Sequence, residues 1–200
     1  GEPINGNQKL QSLTGEELAA KLAFFLTGTL PDAELRQLGA NNQILKPSVL
    51  GQQIDRLLAS NKTKPMIQRL FRESLGYDHF EDFDFPSEVT NGINTRNLEQ
   101  AMVTELDDFF VNEVFEKDAS FSDLLTSRTT TINHSGLQSI YDINQAGEVE
   151  LPATRAGFLS RAAFLAKRSE YRTSPIKRGL SILEHSLCVN IGDPPPDAPT

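Results

Sequence analysis

The sequence predicts a mainly α-helical fold: a single compact bundle of about seven or eight helices, with little or no sheet and an extended proline-rich C-terminal tail. Three observations lead to this prediction. Apolar residues recur at helical spacing in most segments, residues that cap helices stand before those segments, and strand-like composition is confined to one short stretch. At 200 residues, 38% of them hydrophobic, the chain is long enough to bury a substantial core.

The first third of the chain predicts four helices. A capping box at Thr14–Glu17 begins the first helix, because the Thr hydroxyl and the Glu carboxylate can each bond the other residue's backbone N–H. Asp32–Leu38 predicts a short second helix, and Pro47 begins the third, where its missing N–H is tolerated. The fourth runs from Lys64 to a terminating glycine, Gly76.

The longest helix is predicted to be capped by Asn97 with Gln100, and its apolar stripe continues to Val114. It should be the central helix of the domain. Phe121–Leu125 predicts a brief helical turn, and Thr129–Ile132 is the only stretch with strand character. One such stretch is too little for a sheet.

Two further helices are predicted near the C-terminus. One covers Arg155–Arg168, and the other starts at Thr173–Pro175, a capping pair followed by proline at the first helical position. The prolines after Gly192 favour polyproline II geometry. The predicted organisation is a polar lead (1–12), a helical domain (13–150), two further helices packed on it (151–191) and a linker (192–200).

Composition argues against two classes of partner. The formal net charge is −8, whereas nucleic-acid binding draws its affinity from clustered Lys and Arg. No apolar run approaches the roughly 20 residues that a membrane-spanning helix needs. We therefore expect neither a nucleic-acid partner nor a membrane span.

Charge is unevenly distributed along the chain. Carboxylates dominate residues 73–123, while Arg and Lys crowd the C-terminal third. Arg172, Lys177 and Arg178 lie at a helix start, where the helix dipole disfavours cations, so we expect an anionic partner in the acidic middle of the chain. Either the two regions face each other or water, or they form a docking face for a charged partner domain.

Two acidic features are candidate sites. Asp78, Glu81, Asp82 and Asp84 alternate with aromatic residues in an expected loop whose oxygens suit calcium, although the spacing is not that of an EF-hand. Glu105, beside the apolar stripe of the longest helix, is the carboxylate most expected to be partly buried. Two roles stay open for it: an ion pair with a C-terminal arginine, or an acid–base group as in glycosidases.

No catalytic, cofactor-binding or metal-binding residue can be assigned from motifs. The chain has no Gly-x-Ser-x-Gly elbow, and His79, His134 and His185 favour surface or capping roles. Its single cysteine, Cys188, excludes an internal disulfide and a Cys-x-x-Cys-His haem attachment. We expect Cys188 to be a buried thiol, the alternative being a disulfide with a cysteine beyond Thr200.

Several runs resemble a known pair of domains. Leu13–Asp32, Thr104–Phe110 and Phe121–Asn133 resemble the domain of unknown function fifteen-ninety-two. The chain from Arg155–Leu159 through Arg172–Gly179 to the proline run resembles the first half of its usual companion, domain fifteen-eighty-eight. The resemblance covers most of the chain but leaves out the middle, from 77 to 94.

The resemblance implies a setting and brings no catalytic residue with it. These domains occur in large exported cytochrome c-type proteins first noted in planctomycetes, which implies a periplasmic or extracellular location. A Cys-x-x-Cys-His sequence usually follows the proline run in that family. Haem c is therefore implied for the parent protein and not for this chain, and the expected partner is the neighbouring haem c domain of the same polypeptide.

The leading hypothesis is a non-catalytic helical scaffold or interaction domain that positions the haem domain. The alternative is an enzyme or carbohydrate-binding domain that acts on a polysaccharide through the acidic loop and Glu105. A third hypothesis is a surface interaction module that uses the basic C-terminal helices.

Overall fold

A computed structural model of the chain describes residues 12–78, 95–167, 174–189 and 192. These residues are mainly α-helical, which confirms the predicted fold class, and the strands among them form one two-stranded sheet. The chain divides into two compact units, Gly1–Met66 and Ile67–Thr200. The domain boundary near residue 150 stays a prediction.

The first unit contains α1 (Gly15–Thr27), α2 (Ala33–Ala40) and α3 (Pro47–Leu58), and α4 (Lys64–Leu75) begins near its end. Each helix begins within one residue of its predicted start, so these four predictions are confirmed. Gly28, at φ 65°, ends α1 in the left-handed conformation that glycine adopts without strain.

Side chains cap α1, as the sequence predicts, and α2, where the sequence prediction placed Asp32 inside the helix. Thr14 Oγ1 accepts a hydrogen bond from the Glu17 N–H at 3.2 Å, and the Glu17 carboxylate accepts one from the Thr14 N–H at 2.9 Å. Asp32 Oδ1 accepts from the Leu35 N–H at 2.9 Å and so caps α2. Each such cap stabilises its helix by about 1 kcal/mol.

Small residues let α1 and α2 pack closely. A Cβ atom added to Gly15 would lie 2.4 Å from the carbonyl oxygen of Gly39, so the two backbones meet there directly. The core of this unit consists of buried apolar side chains on the three helices and on the turn before α3: Ala19, Ala23, Leu35, Ile44 and Leu57.

The second unit is organised around one long helix, α5 (Thr95–Phe110), which continues as π-helical turns through Val111–Glu116. The remaining elements follow it along the chain: α6 (Phe121–Thr126), β1 (Thr129–Ile132), α7 (Ser135–Tyr141), β2 (Gly147–Glu150), α8 (Ala162–Lys167) and α9 (Pro175–Ser186). α5 packs against β1, α7 and α8, which confirms its predicted central position.

Aromatic rings fill much of this core. Phe110 of α5 stacks on Phe71 of α4, with ring centroids 3.8 Å apart and planes 2° from parallel. Phe158 lies 5.6 Å from the Phe110 centroid on one side and 5.6 Å from that of Phe164 on the other. These rings, of which Phe71 is half-buried and the others are buried, join α4, α5 and the segment leading into α8.

An antiparallel pair of strands, connected through α7, replaces the predicted isolated strand. β1 is confirmed, but it pairs antiparallel with β2, with Thr129 opposite Glu150. The expectation that no sheet forms was therefore wrong. β2 reads Gly-Glu-Val-Glu, and one apolar residue among polar neighbours is too weak an alternation to predict a strand.

Two helix predictions were wrong in detail. α5 begins at Thr95, so Asn97 lies inside the first turn and is not the cap. The segment from Arg155 to Arg168 is not one helix, because 3₁₀ turns at Ala153–Arg155 and Phe158–Ser160 precede α8. Gly157, at φ 65°, interrupts it and donates its N–H to the Ser127 carbonyl at 2.9 Å.

Cys188 is a third correction. It lies just after α9, has φ 54° and is exposed, so the expectation of a buried thiol was wrong.

The predicted start of α9 is confirmed. Ser174 Oγ accepts a hydrogen bond from the Lys177 N–H at 3.3 Å, and Pro175 occupies the first helical position. The predicted loop from Tyr77 to Pro86, apart from Tyr77 and Asp78, and the proline-rich tail after Gly192 lie outside the described residues.

Replacing Gly157 with alanine should destabilise the second unit severely. A Cβ atom there would lie 2.2 Å from the Leu125 carbonyl oxygen, in addition to the strain of a positive φ. Gly76→Ala is the matched control, since Gly76 has φ 59° and no atom within 4 Å of the added Cβ. We expect Gly76→Ala to cost about 1–2 kcal/mol of unfolding free energy and Gly157→Ala at least twice as much, measured by urea unfolding. Equal costs would show that the contact with Leu125 is unimportant.

Candidate functional site

The central helix α5 buries two acidic side chains among its apolar ones. Met102 follows Leu98 by four residues and Glu105 follows Met102 by three, so the three side chains lie in one helical stripe. Asp107 lies in a second stripe with Val103. Each acid is only 2% exposed. A carboxylate costs several kcal/mol to bury unless a cation and hydrogen-bond donors compensate it, so the partners decide its role.

Glu105 has three partners from three different segments. Arg161, just before α8, donates from Nη1 to Oε1 at 3.5 Å, and the hydroxyl of Thr130 in β1 donates to the same oxygen. The phenol of Tyr141, at the end of α7, donates to Oε2 at 3.1 Å. The side chains of Glu105 and Arg161 are both fully buried. This one acid therefore ties β1, α7 and α8 to α5.

Arg161 is held in place by further contacts. Its Nη2 donates to the backbone carbonyls of Ser127 at 3.3 Å and Thr129 at 3.0 Å. Its guanidinium carbon lies 4.5 Å from the centroid of the Phe109 ring, within the range of a cation–π contact. Among the described residues, its Nε is buried without a hydrogen-bond partner. The guanidinium is thus held by two backbone carbonyls, by the Glu105 carboxylate and by the Phe109 ring.

Tyr141 relays a hydrogen bond between Glu105 and the start of α8. Its phenol oxygen accepts from the Ala162 N–H at 2.8 Å while its hydroxyl donates to Glu105. Burial, followed by the nearby Glu105 charge, raises the pKa of Tyr141 well above its ordinary value. The phenol therefore stays protonated and keeps its role as a donor.

The charge of Glu105 is compensated where it lies. Burial raises the pKa of Glu105 above its ordinary value, and the Arg161 charge and the hydroxyls of Thr130 and Tyr141 oppose part of that rise. Both carboxylate oxygens already accept hydrogen bonds. This is the environment of a structural acid, since a general acid or base must reach a reacting group.

Asp107 is compensated in the same manner. Arg72 of α4 donates from Nε to Oδ1 and Oδ2 at 2.9 and 3.0 Å, and its Nη2 also bonds Oδ2. The buried phenol of Tyr77 donates to Oδ1 at 2.7 Å. Burial, assisted by the Asp107 charge, raises the pKa of Tyr77, and the hydrogen bond to Asp107 raises the pKa of Arg72.

A third buried acid repeats the arrangement in the π-helical turns. Glu113 Oε1 accepts from Lys117 Nζ and from Ser127 Oγ, both at 2.8 Å. Each of the three clusters therefore combines one carboxylate with one cation and at least one hydroxyl. The shared composition indicates that these acids join elements of the unit to α5 and its extension.

A cleft of about 360 Å³ lies beside Glu105 and is lined by α5, β1 and the start of α7. His134 caps α7 there, because its Nδ1 accepts from the Gly136 N–H at 3.0 Å. That bond leaves the proton on Nε2, which is a donor. Most of the other lining side chains are uncharged and polar: Asn97, Gln100, Thr104, Thr131 and Asn133.

The structure describes half of the predicted site residues. Glu105 lies in the buried cluster with Arg161, Thr130 and Tyr141, and Asp78 follows the buried Tyr77. Lys177 and Arg178 lie in the first turn of α9, where Lys177 lines a separate cleft with Glu73 and Glu184. The proposed loop ligands and the third cation lie outside the described residues: Glu81, Asp82, Asp84 and Arg172. The loop site and the basic cluster stay predictions.

The partners of Glu105 were not singled out from the sequence. Arg161 was one of several C-terminal cations, yet it stands between Phe158-Leu159 and Ala162-Ala163, an apolar setting that indicates burial. A buried acid on the stripe of α5 requires such a cation. Thr130 and Tyr141 carried no comparable signal, because their role depends on the sheet pairing and on α7.

Within the described ranges, no group of three or more His, Cys, Asp or Glu side chains is placed to hold a metal ion. Among the same residues, no helix has the length and apolarity to span a bilayer. With one cysteine in its sequence, the chain does not fit covalent attachment of a c-type haem through Cys-x-x-Cys-His.

The fold and these clusters define a mainly helical domain whose buried acids are compensated by cations of the same chain. Residues 13–143 match PSD4, a protein family of unknown function (DUF1592), and residues 155–200 match PSCyt3, also of unknown function (DUF1588). The chain belongs to the PSD4 family, and both matches are the planctomycete cytochrome-type domains that the sequence resembles. No curated protein and no solved structure matches the chain.

Removing Arg161 should expose the cost of burying Glu105. We expect Arg161→Met to lower the free energy of unfolding by about 3–5 kcal/mol, because it leaves a buried carboxylate without its cation. The double variant with Glu105→Gln should lose less than the sum of the single variants, since no bare charge remains. Arg69→Met is the control: its ion pair with Glu73 is exposed, so its loss should cost less than about 1 kcal/mol. Urea unfolding of all four variants tests this, and additive losses would contradict it.

The destabilisation by Arg161→Met should shrink as the pH falls. The folded-state pKa of Glu105 is raised, so the folded protein takes up this proton at a higher pH than the unfolded chain, whose value is near 4.5. The cost of the ionised acid is therefore full above the raised pKa, shrinks as the pH falls below it, and is gone only below the unfolded value near 4.5. Unfolding free energies of Arg161→Met and of the parent chain at pH 8 and pH 5 measure the difference. A penalty independent of pH would exclude ionised Glu105 as its source.

Proposed function

We propose that this chain is a non-catalytic helical scaffold in an exported c-type cytochrome-linked redox protein, where it positions a haem domain that lies outside these residues. The observation that carries the proposal is that the buried acids are bonded to cations and hydroxyls of the same chain. Glu105, Asp107 and Glu113 each accept hydrogen bonds from a cation and from a hydroxyl. Groups committed in this way hold elements in register and do not exchange protons with a substrate.

A scaffold also needs a surface for its partner, and α9 supports that role. Ile176 in the first turn of this helix and Leu187 directly after its end are 84% and 61% exposed, and Leu180 between them is 37% exposed. Exposed apolar groups that share one helix face mark interaction sites more often than isolated ones do. Lys177 lies beside them in the first turn and is also exposed. The proposed occupant of this face is the haem domain of the same polypeptide.

A second candidate is an enzyme or carbohydrate-binding domain that acts on a polysaccharide through Glu105 and the acidic loop. The observation that favours it is the position of Glu105 on the wall of the 360 Å³ cleft. The scaffold is preferred because both oxygens of Glu105 are already engaged by Arg161, Thr130 and Tyr141.

The scaffold proposal predicts a change at the haem when α9 is altered. In the full-length polypeptide, Ile176→Ser combined with Leu187→Ser should shift the haem midpoint potential and slow electron transfer to a soluble acceptor at least severalfold. Deleting residues 13–189 should have the larger effect. Leu70→Ser is the matched control, because Leu70 is 60% exposed on a different helix, α4, and it should leave both readouts unchanged.

Potentiometry and stopped-flow reduction provide these measurements. An unchanged potential and rate in the deletion variant would exclude the scaffold. Hydrolysis of a glycan by the parent protein that Glu105→Gln abolishes would instead support the second candidate.

A further inference from the structure

The cleft beside Glu105 has two facing rows of hydrogen-bonding groups. Asn97, Gln100 and Thr104 follow one another on α5 at spacings of three and four residues, which places them along one face over roughly 10 Å. Thr131 and Asn133 alternate along β1 and its continuation, so they point to the same side. The cleft can therefore contact an extended ligand at several points along its length.

The charges around this cleft select against ionic ligands. The described residues of its lining include neither Lys nor Arg, so these side chains offer a phosphate or carboxylate no counterion. Glu105 is the one carboxylate among the described residues of the lining, and that charge is committed to Arg161. A cation would therefore compete with an arginine that is already in place. A neutral ligand avoids both costs.

The donors and acceptors favour hydroxyl groups. Each side-chain amide both donates and accepts, as a sugar hydroxyl does, and His134 adds an Nε2 donor because its Nδ1 is occupied by Gly136. Among the described residues of the lining, Ala101 and Leu137 add apolar surface beside these polar groups. These two side chains can contact the C–H face of a sugar ring.

We infer that this cleft binds a short stretch of a neutral glycan, held by Gln100, Asn133 and His134. This inference deepens the second candidate function by naming its ligand class, and it is also compatible with a scaffold that carries a glycan-binding site. It requires neither the acidic loop nor a catalytic role for Glu105. The cleft volume of about 360 Å³ lies within the range of small-molecule sites.

Calorimetric titration of the full-length polypeptide tests the inference. The probes are neutral glucose-, mannose- and N-acetylglucosamine-based oligosaccharides, each with a sulfated counterpart. We expect saturable binding of at least one neutral oligosaccharide and weaker binding of its sulfated form. Gln100→Ala and Asn133→Ala should each weaken this binding about tenfold, the effect of losing one well-made hydrogen bond. Both side chains are exposed, so neither change should affect folding.

Gln52→Ala is the matched control, because it removes an exposed amide of α3 in the first unit and should leave binding unchanged. Three results would overturn the inference: no binding of any neutral probe at millimolar concentration, a preference for the sulfated forms, or full affinity in both cleft variants. Haem potential and electron transfer are separate readouts, so failure of the scaffold proposal remains distinguishable. Glu105→Gln should retain binding, and loss of glycan hydrolysis in that variant would concern the enzyme candidate alone.

Discussion

The ion pair between Glu105 and Arg161 is the constraint on which the second unit depends. Both side chains are fully buried, and an isolated ion in such a position costs several kcal/mol. The pair is tolerable only while β1 supplies the Thr130 hydroxyl, α7 supplies the Tyr141 phenol, and the Ser127 and Thr129 carbonyls accept from Arg161. Apolar packing would hold these elements against α5 in many registers. The polar contacts favour the one arrangement in which both oxygens of Glu105 and both terminal nitrogens of Arg161 have partners.

Two further buried acids are bonded in the same way, and this bears on the proposed scaffold function. Asp107 with Arg72 and Tyr77, and Glu113 with Lys117 and Ser127, repeat the composition of the first cluster along α5 and its π-helical extension. Acids arranged in this manner join other elements to α5, as the proposed scaffold requires. The polar cleft is a different kind of feature, because its amides lie at the surface and are not needed to hold the core together. The buried acid clusters and the exposed cleft can therefore serve separate purposes in the second unit.

Local chemistry made much of the fold predictable. The capping box of α1 and the prolines that begin α3 and α9 act within one helical turn, and each was correctly identified. The errors lie where distant residues decide. Gly157 breaks a helical pattern because Leu125 occupies the space beside it, and β2 is a strand only because β1 lies next to it. The burial of Glu105 was predictable from its stripe. Arg161, Thr130 and Tyr141 were not assigned to it, since nothing in a linear pattern brings these positions together.

The distances along the chain between these partners have a consequence for folding kinetics. Glu105 lies 25 residues before Thr130, 36 before Tyr141 and 56 before Arg161. Closing such long loops costs chain entropy before any contact is gained, and folding slows as contacts become more distant in sequence. A collapsed intermediate in which α5 has already packed would hold a desolvated acid without its cation, and its free energy would be correspondingly high. The last segment to dock therefore relieves the largest electrostatic penalty, which favours an abrupt final step over a gradual one.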